Sequence, residues 1–403
     1  MRISEIQAAS REQVLAFRLE GHHLSTRLPG DSLLQAAGAC GMQNTPPGSA
    51  ALSLHARIAN LTPEAVERAL VEDKTLLQAW SFRAAPHVFP TREAAVFTTG
   101  LCPVDEEALR FFMQGAEAAL EKIGIRASEV VELSEAALWK ALDGRELTKD
   151  QLGIELSGWV SQHLSPQQLS AWRSSSWYSP KQSLGESVVR FALPILSLAG
   201  KCCHAERRGN QAYTIRTDQW LEETIPEMSR EQAQAELVRR YLRCYAPSTV
   251  EHFAAWAGIA LAQSAGMWKL VEDELVEIEF DGRKTWLHGG DLPRWVSPAM
   301  PTGVRFLPPH DPFLQLRDRE ALVPDKDLQR SVWRHAGNPG VLLVEGQFVA
   351  TWRSQKKGKL RKVSVESLVP ISKGMRSAIE AEAATLAPYS DSTSVEVEFN
   401  GDV

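Results

Sequence analysis

Long apolar runs are missing from this sequence. No stretch approaches the roughly 20 residues a membrane-spanning helix requires, and the opening Met-Arg-Ile-Ser-Glu-Ile-Gln lacks the apolar core of a secretory signal. A cytoplasmic location without membrane association is expected. Cysteine is scarce as well. The five cysteines, Cys40, Cys102, Cys202, Cys203 and Cys244, form no C-x-x-C pair and no zinc spacing. An odd number argues against a full disulfide framework, and adjacent Cys202 and Cys203 would need strained geometry to bridge. All five read as thiols, mostly in packing positions. Positive charge is not in excess either: 44 basic residues face 50 acidic ones, for a net charge of −6. That balance does not suggest non-specific nucleic-acid binding. No phosphate loop, metal cluster or Ser-His-Asp set is legible, so no cofactor and no metal are expected.

The composition that remains is ordinary for a globular protein. At 403 residues, 44% hydrophobic and 23% charged, the chain is long enough for two to four compact units. A monomer is expected. Positive charge is concentrated in one place. Residues 353–362, Arg-Ser-Gln-Lys-Lys-Gly-Lys-Leu-Arg-Lys, contain six basic residues and no acid. Removing those six from the basic total leaves 38 against 50 acidic residues, so the rest of the chain is distinctly acidic.

Hydrophobic periodicity and turn signals suggest a repeated pattern. In the first 90 residues, Leu15, Phe17 and Leu19 belong to one amphipathic helix, and Leu33 and Leu34 begin a second. Ala51, Leu52, Leu54 and Ile58 line a third. Thr62-Pro63-Glu64-Ala65 reads as an N-cap and first turn. Leu76–Phe82 and Pro86–Phe89 then read as paired strands. Helices over about 106–123 and 127–142, a Thr148 cap and a hairpin around Arg207-Arg208-Gly209-Asn210 repeat the theme. A third copy runs through Ala246–Gly258, a helix over 260–270 and a hairpin turning at Asp281-Gly282, a strong hairpin signal. From about 300 the character changes to β, with a meander, a helix over 374–386 and a closing strand at Ser394–Phe399. The expected class is α+β, mainly α: three tandem winged helix-turn-helix units (1–100, 101–225 and 226–300) and a C-terminal β-rich subdomain (301–403).

One short stretch stands out chemically. Residues 40–57 place Gln43, Asn44 and Thr45 just before a helix start. Read as local structure, Thr45-Pro46 is a well-formed N-cap and N1 pair, Asn44 stabilises a turn through its own side chain, and Gln43 bonds nearby backbone. Asp311, in Pro308-Pro309-His310-Asp311, reads as a loop-ordering residue with Arg317 and Arg319 as partners. The tryptophans read mostly as core.

Several of these landmarks, in one order, resemble the tandem winged-helix DNA-binding family that includes the AlkZ-like DNA glycosylases. They are Cys40–Arg57, Trp80–Pro90, Ala246–Gly258, Arg305–Asp311, Arg317–Arg319 and Val344–Arg353. The resemblance covers nearly the whole chain. The family's catalytic motif looks like Gln-x-Gln or Gln-x-Asp, and it maps onto Gln43-Asn44-Thr45, with threonine in the second position. By the same resemblance, Arg83 and His87 on the first wing line the face of Gln43, and the basic hairpin lies at the DNA groove. The resemblance therefore implies catalytic roles for Gln43 and Thr45, and DNA contacts from Asn44, Arg83, His87, Trp352, Arg353, Lys356, Lys357 and Lys359. Arg361 and Lys362 of the same run suit phosphate contact, whereas Trp352 could instead simply pack.

The implied partner is duplex DNA, including alkylated duplex. The implied reaction is monofunctional excision of N7-alkylated purines. Alkylation at N7 makes the purine cationic and a good leaving group, so the enzyme has only to stabilise an oxocarbenium-like sugar and place a water. An amide carbonyl can do this as a fixed dipole. A threonine hydroxyl can orient water, but it is no general base at neutral pH. Two other readings remain open: a non-catalytic winged-helix DNA-binding or regulatory protein, and a scaffold whose winged helices bind protein.

Overall fold

The computed structural model describes residues 8–221, 227–334 and 337–401. Helices and several sheets are mixed throughout, and the chain divides into two compact units. Each is assembled from separated stretches: 1–69, 238–256 and 271–403 in one, 70–237 and 257–270 in the other.

The first unit carries most of the sequence landmarks. Ser10 caps the helix Arg11–Gly21 through the Gln13 amide, leaving Val14, Phe17 and Leu19 buried. The hairpin Leu275–Phe280 and Arg283–His288 turns at Asp281-Gly282, where both residues have positive φ. That geometry suits the right-handed twist of the flanking strands and favours glycine. Ser248 bridges to Trp286 on this hairpin.

A five-stranded sheet follows in the same unit. Val304–Leu307, Gly340–Val344, Gln347–Lys357 and Leu360–Ser367 run antiparallel, and Ser394–Asn400 returns parallel to the fourth strand. A parallel return needs a crossover; the helix Lys373–Ala384 lies between these strands in sequence, capped by Ser372. Its Ile379 and Ala383 join Phe306, Leu342, Trp352, Val363 and Val365 in one core cluster. Leu52, from the helix Ser49–Arg57, packs against the same cluster. The β character expected after residue 300 is present, as are its closing helix and strand.

The second unit is built around a helical core. Leu138, Leu152, Leu156, Trp172, Val188 and Leu193 are buried together. Thr148 opens the helix Lys149–Val160 with a full capping box to Gln151, the signal read from sequence. The short strand Leu147–Thr148 pairs with Tyr213–Arg216, which pairs in turn with Cys202–His204. The helix expected over 106–123 is interrupted: Glu106–Phe112 and Glu117–Ile123 are separated by a 3-10 turn at Gln114–Ala116. Phe191 lies against Gly115 in that turn, where a Cβ would meet its ring at 2.5 Å. Leu76–Trp80 and Pro86–Pro90 form the expected antiparallel hairpin.

Candidate functional site

The strip that carries Gln43 is held from both ends. The helix Leu33–Gly38 stops, Gly41 takes a positive φ, and Met42–Gln43 form a short extended pair, both buried. Arg240 donates to the Gly38 carbonyl at 2.7 Å and so ties the start of the strip to the helix Arg230–Tyr245. Beyond Gln43 the chain turns out to the surface. Thr45, Pro46, Pro47 and Gly48 are exposed, and the Thr45-Pro46 peptide is cis.

The helix after this turn begins at Ser49, with Gly48 as its N-cap residue. Thr45 and Pro46 are therefore not the N-cap and N1 pair expected from sequence. Asn44 does that work. Its Oδ1 accepts from the Gly48 amide at 2.8 Å and from the Ala50 amide at 3.3 Å. Two amides at the helix entrance, otherwise orphaned, are thus satisfied from four and six residues upstream. Asn44 serves the turn, which leaves the exposed Thr45 side chain without a capping role.

Arg57, the last residue of that helix, anchors it. The Arg57 guanidinium and the Asp311 carboxylate are both fully buried and meet in two parallel 2.8 Å bonds. Arg57 also donates to the Ser53 carbonyl, and Asp311 accepts from the Phe313 amide. Burial works against the Arg57 charge, but the adjacent carboxylate outweighs it and the pKa is raised. Asp311 is the loop-ordering residue expected, with a different partner: Arg57 takes the place given to Arg317 and Arg319. Sequence offered no signal for this pair, because 254 positions separate its members.

In the second unit, Arg83 lies in the turn of the first hairpin and His87 on its second strand. Arg83 and Ala84 both sit in the left-handed region, at φ 54° and 55°, which is uncommon away from glycine. Gly258 makes room for Arg83: a Cβ there would lie 2.7 Å from Arg83 Cγ and 3.0 Å from its Cα. His87 is buried. Its Nδ1 donates to the Ala85 carbonyl at 2.9 Å, and its ring meets the edge of Phe82. Burial, reinforced by the Arg83 charge, pulls its pKa down to about 3. His87 is therefore a neutral imidazole at physiological pH, offering neither a cation to phosphate nor a proton to a leaving group.

The basic run proves to be more than a turn. It spans the end of one strand, a two-residue turn at Gly358-Lys359 and the start of the next strand. Strand alternation then sends its members to opposite faces. Arg361 points inward and is buried. It donates to the Leu386 carbonyl at 2.9 Å and to Ser354 Oγ at 3.1 Å, beside the Trp352 ring. It is not placed for phosphate contact, contrary to the sequence reading. Trp352 is also buried, its indole N–H donating to the Leu307 carbonyl at 2.9 Å. That placement favours packing over the wedge role.

The remaining cations are on the surface. Lys356 and Lys359 both reach Asp391, at 3.2 Å and 2.9 Å. Lys362 reaches Glu396 at 3.3 Å, and Arg353 donates to the Gly337 carbonyl at 2.5 Å. Lys357 is exposed and makes no ion pair among the described residues. Exposed pairs of this kind contribute about 0–1 kcal/mol each, so a phosphate can displace them. Asp391, invisible to a search for basic residues, is the counter-ion shared by two of these lysines.

The mixed α/β fold has a counterpart among known proteins. Residues 36–389 match the AlkZ-like DNA glycosylase family, and the chain belongs to that family. The interstrand DNA cross-link repair glycosylase of Streptomyces sahachiroi is 25% identical over 356 residues, covering 85% of this chain and 88% of that relative. The solved structure of the Streptomyces sahachiroi DNA glycosylase AlkZ superposes with a TM-score of 0.73 at 23% identity, covering 98% of this chain and all of that one. The two share a fold. No helix among the described residues is long and apolar enough to cross a membrane.

Proposed function

We propose that this chain is a monofunctional DNA glycosylase that excises N7-alkylated purines from duplex DNA. The observation that carries the proposal, beyond family membership, is the division of labour in the strip. Asn44 holds the turn, which leaves Thr45 exposed beside the buried Gln43. In this reading Gln43 presents its amide dipole to the developing sugar cation, and Thr45 orients the incoming water. The cationic N7-alkylated base leaves without help from a general acid.

Three tandem winged units would form the DNA-facing scaffold. Two features support that reading: the short strand Leu147–Thr148 joining the hairpin that ends the second repeat, and the Ser248–Trp286 bridge in the third. Lys356, Lys357 and Lys359 would meet backbone phosphate, with the salt dependence that counterion release brings.

The test is release of abasic sites, read by alkaline cleavage, from duplexes carrying N7-methylguanine, a bulkier N7 adduct or an N7-linked interstrand crosslink. Excision by the native chain should fall about 10²–10³-fold in Gln43→Ala, with duplex binding retained. Thr45→Gln, which restores the family's second glutamine, should match or exceed the native rate. A protein that binds intact duplex tightly and releases no base from any of the three substrates is the non-catalytic DNA-binding protein instead. Threonine at position 45 is the specific observation favouring that second reading.

A further inference from the structure

Three soft-ligand side chains, distant in sequence, meet beneath the strip. His22 follows the helix Arg11–Gly21, Cys40 lies three residues before Gln43, and Cys244 is on the helix Arg230–Tyr245. All three are buried, and their ligand atoms lie within 4.8 Å of one another. Cys40 Sγ is 3.6 Å from His22 Nδ1. Two ligands of one tetrahedral zinc, at about 2.3 Å for sulfur and about 2.05 Å for nitrogen, stand about 3.5 Å apart.

We propose that His22, Cys40 and Cys244 form a buried Cys2His site for a thiophilic divalent cation of the zinc class. The backbone offers a fourth ligand. The carbonyl oxygens of Gly21 and Ala39 lie 3.5 Å and 3.7 Å from Cys244 Sγ. On binding, each thiol gives its proton to solvent, so one M²⁺ and two thiols become a neutral dithiolate complex and two protons. Burial pushes the Cys40 thiol well up, whereas its hydrogen bond to Cys244 pulls Cys244 down, so the proton cost of binding falls mainly on Cys40 and the metal–thiolate bonds must outweigh it. Burial, with the charges of Arg57 and Arg18, holds His22 well below its usual pKa. Neutral imidazole is the form that binds metal.

The ring of His22 is already oriented. Tyr245 and Phe313 meet it edge to face, at 4.8 Å and 5.4 Å between centroids. Its Nε2 finds no hydrogen-bond partner among the described residues, and its Nδ1 is the nitrogen that faces Cys40 Sγ. With no solvent-facing ligand, the site is of the closed, structural kind. It would clamp the first helix and the helix Arg230–Tyr245 to the start of the strip. The inference does not depend on glycosylase activity.

Cobalt reports the ligand set directly. Reduced full-length protein is loaded with Co²⁺ both in the native state and during refolding, then dialysed. One cobalt per chain is expected, with thiolate-to-cobalt charge-transfer absorption, tetrahedral d–d bands, displacement by Zn²⁺ and a higher unfolding temperature with Zn²⁺ than with EDTA. Cys40→Ser and Cys244→Ser should lose the charge-transfer band, and Cys102→Ser, outside the cluster, should keep it. The native-chain spectrum stands even if a cluster variant fails to fold. The proposal is overturned by native protein that retains no cobalt or zinc under either loading, by a bound cobalt without thiolate absorption, or by a Cys40–Cys244 disulfide in protein prepared under reducing conditions.

Discussion

The strip around Gln43 and the hairpin around Lys357 present their functional side chains by opposite means. From Cys40 to Ala56 the strip contains one titratable polar side chain, His55, besides its first thiol. Its shape comes from Asn44 bonded to two amides and from the buried Arg57–Asp311 pair. The hairpin is densely cationic, and Lys356, Lys359 and Lys362 are held by ion pairs to Asp391 and Glu396. Buried bonds fix atoms to within fractions of an ångström, as stabilisation of a developing charge demands. Surface pairs exchange with phosphate at little cost, as tracking a mobile polyanion demands.

Breaking the buried pair is the sharpest test of this contrast. Arg57→Ala leaves Asp311 charged and dry, and should cost about 3–5 kcal/mol in urea unfolding. Loss of any one hairpin lysine should be within about 0.5 kcal/mol of neutral on the same measurement. If the two costs are similar, the contrast fails.

Acid should act on the strip's side of the comparison. Burial is the leading cause that brings His23 and His55 to about 4, against an ordinary value of 6.5, and the hairpin has no histidine. With folded values below unfolded ones, the unfolded chain takes up protons first as pH falls. The stability from these neutral histidines is complete above about pH 6.5 and is lost down to about pH 4, by at most about 1.4 kcal/mol per pH unit for each. His204, brought to about 4, and His87, to about 3, add to the loss in the other unit. Hydrogen exchange at pH 7 and pH 5 should show amides of residues 49–57 losing protection before those of residues 350–367. The reverse order would contradict the assignment.

Asn44→Ala removes the two amide bonds and should lower stability by about 1 kcal/mol. Thr45→Ala, which removes no cap, should stay within about 0.5 kcal/mol. The same pair sharpens the chemistry: a drop in excision for Thr45→Ala at unchanged stability isolates a role in the reaction.

The smallest effects belong to the hairpin. Lys356→Ala and Lys357→Ala should each reduce the slope of log K against log salt by about 1 for duplex binding. Asp391→Ala frees two lysines and should tighten binding at low salt. A salt slope that ignores all three substitutions removes the hairpin from the DNA interface.

How much could be read in advance follows from the range of each interaction. The Asp281-Gly282 turn and the Thr148 capping box involve neighbours up to three or four residues apart, so local spacing revealed them. Thr45-Pro46 carried the same local signal for a helix start, yet Asn44 reaches six residues ahead and the helix begins at Ser49. Arg361 looked like one more cation in a charged run. Its inward placement was fixed only when strand alternation set it on the face of Val363 and Val365, within reach of the Leu386 carbonyl and Ser354.

By itself, the sequence determined the family, the order of helices and hairpins, the concentration of positive charge in residues 353–362 and the neutral character of the Gln43 strip. These properties reside in residue identity and near-neighbour geometry. Only the tertiary structure decided that Asn44 rather than Thr45 caps the helix, that Arg57 answers Asp311, that Trp352 and Arg361 are core, and that His22, Cys40 and Cys244 converge. The physical reason is common to the long-range members of that set. Burial raises the cost of an unpartnered polar group, and its partners are chosen by what packing brings within 3 or 4 Å, whatever their distance along the chain.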